Sequence, residues 1–150
     1  MRSIVYTERG PSSVLHLVER HPEEPGPGEV RVRIAVSGVN PTDWKLRAGV
    51  TAGGLDAPSV PNQDGAGVID AVGAGVEGLH VGDRVWTALA AHASPLGGTA
   101  QELTVLPAGR VHPLPAGVSF DLGASLGVPA LTAHRALTVA EGAPDRLSPG

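Results

Sequence analysis

Glycine and proline punctuate this sequence so densely that long helices have little room. Its 150 residues include 21 glycines and 14 prolines, scattered between short apolar runs instead of gathered in one block. That spacing argues for many short strands joined by turns, a barrel or a sandwich, and against disorder. The clearest strand is Val30–Val36, where Val30, Val32, Ile34 and Val36 alternate with Arg31, Arg33 and Ala35. Period two means one dry face and one wet face. Further strands are expected at 3–7, 14–19, 65–72, 82–87, 100–106 and 110–114, with turns at Gly73-Ala74-Gly75, Gly97-Gly98 and Pro107-Ala108-Gly109. Pro22, Pro25 and Pro27 forbid helix or central strand between the second and third of these. Aromatic residues make up only 3% of the chain, so the core must be Val, Leu, Ile and Ala.

Helix signals are local. Pro41 suits a first helical position, with Asp43 in the first turn and Lys45 and Arg47 in the last, which predicts a short helix over 41–48. A loop follows over 50–61. From residue 119 the texture changes. Ser119 is placed to cap a helix with Asp121 in its first turn. The run "ALTAHRALTVAEGA" then combines good helix formers with apolar Leu131, Ala133, Leu137 and Val139. "PDRLSPG" reads as a stop and a turn. The expected division is therefore a barrel over 1–118 and a helical segment over 119–150.

"VGAGVEG", residues 72–78, spells G-x-G-x-x-G after an apolar run. A phosphate-binding turn of that form must open a helix, whose N-terminal N–H groups meet the pyrophosphate. Here Gly82 and then Asp83-Arg84-Val85-Trp86 follow, which reads as another strand. The acidic residue expected about 20 positions on is also missing from any suitable strand end. The glycines are read as supplying positive φ in a tight connection between strands.

The net charge is −4 without clustered Arg or Lys, so nucleic acid is not an expected partner. No apolar run approaches the roughly 20 residues of a membrane helix, and "MRSIVYTERG" is not read as a signal peptide. The absence of cysteine fits a reducing cytoplasm and removes thiolate metal sites.

Four stretches, "VSGVNPTDWKLRAG", "PNQDGAGVIDAVGAGVEGLHVGDRVW", "GGTAQELTVLPAGRVHPLPAGVSF" and "LTAHRAL", occur in an order that resembles the amino-terminal half of a medium-chain dehydrogenase/reductase. The branch it most resembles is the zinc-free, zeta-crystallin-like quinone oxidoreductases. The resemblance implies a mainly β fold, a GroES-like β-barrel with short helices and a helical C-terminal segment. In the family a Rossmann domain follows. This sequence stops at "LSPG", where the first Rossmann strand is expected, so the cofactor domain is expected to be absent from this chain and the chain alone inactive.

The resemblance also implies chemistry. Zinc-dependent relatives carry cysteine where this chain has Asn40, histidine where it has Gln63 and glutamate near Asp64. Without a thiolate or imidazole there, no zinc is expected. The six histidines, at 16, 21, 80, 92, 112 and 134, lack ligand spacing and are read as surface or turn residues. The complete enzyme is expected to move hydride from NADPH to a quinone or enone. Asn40, Asp43 and Lys45 are the candidate catalytic residues, and Asn40, Lys45 and Thr132 the candidate cofactor contacts. Asn40 would bond the substrate carbonyl or the nicotinamide ribose, Asp43 would support the cleft, and Thr132 would face the nicotinamide. Lys45 stands where relatives tend to show tyrosine. Asp64 and Arg84 either pair with each other or serve the barrel separately, and neither is assigned to catalysis. Two rival readings are an activated-alkene reductase on the same scaffold, and a non-catalytic barrel whose apolar helical face over 119–140 forms a homodimer.

Overall fold

The computed structural model describes residues 1–51, 55 and 58–139. The expected loop over 50–61 lies partly, and the expected turn in "PDRLSPG" wholly, outside the described residues. The architecture is mainly β. A five-stranded antiparallel sheet runs in the order β6 (Leu103–Pro107), β3 (Glu29–Gly38), β4 (Asp64–Val72), β5 (Arg84–Thr87), β7 (Val111–Pro113). Strands β1 (Arg2–Val5) and β2 (His16–Glu19) form an antiparallel ribbon. That ribbon joins the sheet where Ile4 N–H donates to the Ala100 carbonyl at 2.9 Å and Glu102 N–H to that of Arg2 at 3.1 Å.

The alternation in β3 sorts as its sequence requires. Val30 and Val32 are fully buried and pack with Ile69, Leu79, Val85, Leu106 and Val111. Burying each such aliphatic side chain contributes about 1.5–3 kcal/mol. On the opposite face Arg31 Nε meets Asp70 Oδ1 at 2.7 Å and Arg33 Nη2 meets Asp70 Oδ2 at 2.9 Å. Arg31 also donates to Glu24 and to the Glu23 carbonyl, which ties the proline-rich connector to the sheet. The β3–β4 register shifts at Arg31/Val32 and Ile34/Val36. An extra residue on one strand increases local bend and twist, which helps curl a flat sheet into a barrel.

Three strands start two or three residues later than the sequence reading, each because a turn or bridge takes the first residues. Ser12–Val14 form a 3₁₀ turn, so β2 begins only at His16. Gly82 adopts φ 95°, which delays β5 to Arg84. Gln101 bridges to Ser3 before the chain becomes β6.

Residues 73–78 contain turns and no helix. Gly75 and Gly78 sit at φ 76° and 74°, and a Cβ on Gly73 would fall 1.9 Å from the Gly26 carbonyl oxygen. These glycines close a strand connection, but of the two expected to supply positive φ only Gly75 does, while Gly73 is required by the close approach of the Gly26 carbonyl.

Helix α1 spans Pro41–Ala48, opens on extended Asn40 and ends at Gly49 with φ 76°. Helix α2 (Phe120–Gly123) is capped by Ser119 Oγ, which accepts the Leu122 N–H at 3.2 Å. The chain then passes through Leu126–Ala130, where Gly127 leaves helical geometry (φ −66°, ψ −107°), and enters α3 (Leu131–Thr138). Arg84 serves this end of the barrel. Its guanidinium lies 4.1 Å from the Phe120 ring centroid and donates to the Val118 carbonyl. Asp64 has other partners, so of the two readings for that pair, separate service is the one found. Among the described residues no helix is long and apolar enough to cross a membrane.

Candidate functional site

Antiparallel pairing of β3 with β4 sets Gly38 opposite Asp64. The chain just beyond β3 and the chain entering β4 therefore meet at one end of the barrel. Four polar residues converge there. Asn40 and Asp43 are nearly buried, and Gln63 and Asp64 are fully buried. Asn40 belongs at the helix start for a local reason. Its extended backbone precedes Pro41, and its N–H is bonded by the Asp43 carboxylate at 2.6 Å, half of a capping box.

The side chain of Asn40 turns the other way. Its Nδ2 donates to Asp64 Oδ2 at 2.9 Å. The same Asp64 carboxylate accepts the Val128 N–H, at 2.8 Å to Oδ2 and 3.0 Å to Oδ1. Burial raises the pKa of Asp64 above the usual carboxylate value, with the Asn40 and Val128 hydrogen bonds opposing it. Burial also raises Asp43, opposed first by the Asn40 backbone N–H, while the Asp64 charge adds to the rise. Asp43 Oδ1 and both amide atoms of Gln63 are buried without a hydrogen-bond partner. Leaving such groups unpaired costs roughly 1–3 kcal/mol each.

The structure joins Asn40 and Asp43 by a hydrogen bond, while Lys45 lies further along α1 and Thr132 on α3. Lys45 is half-buried on α1, with its ammonium 6.0 Å from the Trp44 ring centroid. Thr132 is exposed on α3 and, with Leu89, Val128, Leu131, Arg135 and Ala136, lines a largely apolar hollow of about 440 Å³. Asn40 opens instead onto a second hollow of about 200 Å³, lined by Val36, Gly38, Val39, Asp121, Ala124, Ser125 and Pro129. The two hollows flank the Val128-Pro129 step. The sequence marks Gln63 only as a place without a zinc ligand, and Asp64 as that and as a structural residue of the barrel. Their adjacent polar side chains at the mouth of a strand whose first four residues are buried, in "PNQDGAG", are the signal that was available.

Among the described residues no three His, Asp or Glu side chains gather as a metal centre would require. His112 stacks on Trp86 at 4.5 Å between ring centroids, and the other five histidines are exposed. The donors at positions 40, 63 and 64 do not fit zinc. Two are neutral amides, and the third is a carboxylate already accepting two N–H groups.

A mainly β, antiparallel architecture with short helices and a helical C-terminal segment is that of a GroES-like domain. Residues 26–116 match the alcohol dehydrogenase GroES-like domain family, and the chain belongs to it, within the medium-chain dehydrogenase/reductase superfamily. The chain is 37% identical over 139 residues to a quinone oxidoreductase of Lama guanicoe, covering 91% of this chain and 40% of the relative. A zinc-type alcohol dehydrogenase-like protein of Schizosaccharomyces pombe is 36% identical over 132 residues, covering 77% and 38%. The crystal structure of Escherichia coli quinone oxidoreductase complexed with NADPH superposes with a TM-score of 0.83 at 29% identity, covering 91% and 40%. The chain thus spans about 40% of the length of the quinone oxidoreductases it matches.

Proposed function

We propose that these residues form the amino-terminal part of a zinc-independent, NADPH-dependent oxidoreductase of the cytoplasm that passes hydride to a quinone or similar electron-poor acceptor. The observation that carries the reading is the buried Asn40–Asp64 pair at a position where zinc chemistry would need a thiolate or imidazole. Relatives that bear the name quinone oxidoreductase, one of them complexed with NADPH, support the acceptor and the cofactor.

On this reading residues 1–118 are the catalytic barrel and 119–150 lead to a cofactor domain. NADPH supplies the hydride when bound. Asn40 and Lys45 contact the cofactor and the acceptor oxygen, and the Lys45 ammonium offsets charge developing on that oxygen. Asp43 fixes Asn40 by holding its backbone N–H. Thr132 contributes its hydroxyl from the α3 side. The exposed apolar side chains Leu122, Leu131 and Leu137 are the surface a following domain would cover.

The test is NADPH oxidation by the full-length protein with a benzoquinone, an enone and an aldehyde, together with metal analysis. Quinone turnover without stoichiometric zinc is expected. Turnover of the aldehyde alone, or one zinc per chain, would overturn the assignment. Enone turnover without quinone turnover would move it to the alkene reductases, and no NADPH binding at all would leave a non-catalytic barrel.

A further inference from the structure

Asp64 is fully buried and spends one carboxylate on two clients from distant parts of the chain. Asn40 Nδ2 comes from the loop between β3 and α1, and the Val128 N–H from the segment that enters α3. Oδ2 accepts both donors and Oδ1 also accepts the Val128 N–H, an arrangement open to a carboxylate because both of its oxygens only accept, whereas an amide would put a donor at one of the two places. The connector is also fitted closely to this group. A Cβ on Gly127 would lie 2.1 Å from Asp64 Oδ1, and one on Gly38 would lie 2.5 Å from the Ala124 carbonyl oxygen and 3.1 Å from the Asp64 Cβ. Two glycines thus let the helical segment descend onto the strand end until its backbone reaches the carboxylate. The Val128-Pro129 step reached in this way separates the hollow of Asn40 from the hollow of Thr132.

We propose that Asp64 is a positioning residue that locks the Asn40 side chain and the Gly127-Val128 connector to each other, so that the barrel side and the α3 side of the ligand site move as one. The functional weight of this rests on the reading that Asn40 and Thr132 meet one ligand, whereas the lock itself does not. Asp64 touches neither ligand nor reacting atoms on this account. It acts through its two clients.

The lock is read by hydrogen exchange at pH 7.5, followed by NMR on the 150-residue chain without ligand. The Asn40 side-chain amide and the Val128 N–H should both be protected. Asp64→Asn keeps the shape but sets an NH₂ donor against the Val128 N–H or, flipped, against the Asn40 amide, so one of the two sites should exchange about tenfold faster. Gly127→Ala should release both, because the new methyl group and the carboxylate cannot share the space. The reciprocal double substitution N40D/D64N restores a donor–acceptor pair with the charge on the other side and frees the amide oxygen at position 64 for the Val128 N–H, which should be protected. The Ile69 N–H, bonded to the Asp83 carbonyl, reports that the barrel is intact in each variant.

A freely exchanging Asn40 amide in the unsubstituted chain would overturn the proposal. So would Gly127→Ala with both sites still protected, or a folded double variant with Val128 still exposed to exchange. Should Asp64→Asn fail to fold, the unsubstituted chain and Gly127→Ala still decide. NADPH titration of the full-length protein judges the functional reading separately, because no exchange measurement here involves a ligand.

Discussion

The Asp43 carboxylate accepts the Asn40 backbone N–H at 2.6 Å with one oxygen and keeps its other oxygen buried without a partner. Desolvation outweighs the hydrogen bonds, so the folded pKa of Asp43 lies above its unfolded value, and Asp64 shifts the same way. An acid whose pKa is raised on folding binds its proton more tightly in the native state. Its contribution to stability is fully present below the unfolded pKa of about 3.9 and is lost as pH rises through the folded pKa. Urea unfolding between pH 4 and 7.5 should show this as a falling component of stability. Asp43→Asn should flatten the fall, and slopes that coincide with and without the substitution would contradict it.

Glycines 73 and 75 separate two physical requirements within one motif. Gly73 has no room, since an added Cβ would sit 1.9 Å from the Gly26 carbonyl oxygen. Gly75 has open space but φ 76°. Gly73→Ala should therefore cost roughly 1–3 kcal/mol through forced backbone movement. Gly75→Ala should cost about 1 kcal/mol from the left-handed backbone alone. Thermal melts of the two variants check the order. Equal costs would mean that the close approach of the connector at Gly26 is not structural.

Strand positions were legible because Val30–Val36 obeys period two and turn residues bound its neighbours, and α1 because Pro41 and Asp43 suit its start and Lys45 and Arg47 its last turn. The strand starts were not, since Ser12–Val14 and Gly82 spend apolar-run residues on turns that only the neighbouring segments dictate. At the site, Asn40 and Asp43 were legible as neighbours because they share one helix turn. The join between Asp64 and Val128 was not, because it spans 64 residues and rests on a backbone N–H, which carries no side-chain signature. Gln63 and Asp64 were visible as residues, but their burial follows from the β3–β4 pairing that sets Gly38 against Asp64.

Arg84 holds the barrel to α2 by a cation–π contact. The guanidinium lies over the Phe120 ring, 4.1 Å from its centroid, while donating to the Val118 carbonyl. An ammonium has no planar face with which to stack and donate together. Arg84→Lys should lose about 1–2 kcal/mol of stability despite keeping the charge. Phe120→Leu should lose less in the Arg84→Lys background than in the unsubstituted chain. Additive losses in that double-mutant cycle would show that the two side chains do not act as a pair.

Gln63 presents the sharpest conflict between stability and composition. Its side chain is fully buried, and neither Oε1 nor Nε2 has a partner among the protein's own groups. Methionine has nearly the same shape and no strong polar group to desolvate. Gln63→Met should therefore raise stability by about 1 kcal/mol, seen as a higher urea midpoint at unchanged m. That result would show that the amide is kept at a cost in folding free energy, which is expected of a side chain retained for what binds beside Asn40 and Asp43. A loss of stability would show instead that solvent held inside the barrel end completes the Gln63 hydrogen bonds. The cluster would then be a structural polar core, and the ligand site would reduce to the Asn40 side of the hollow.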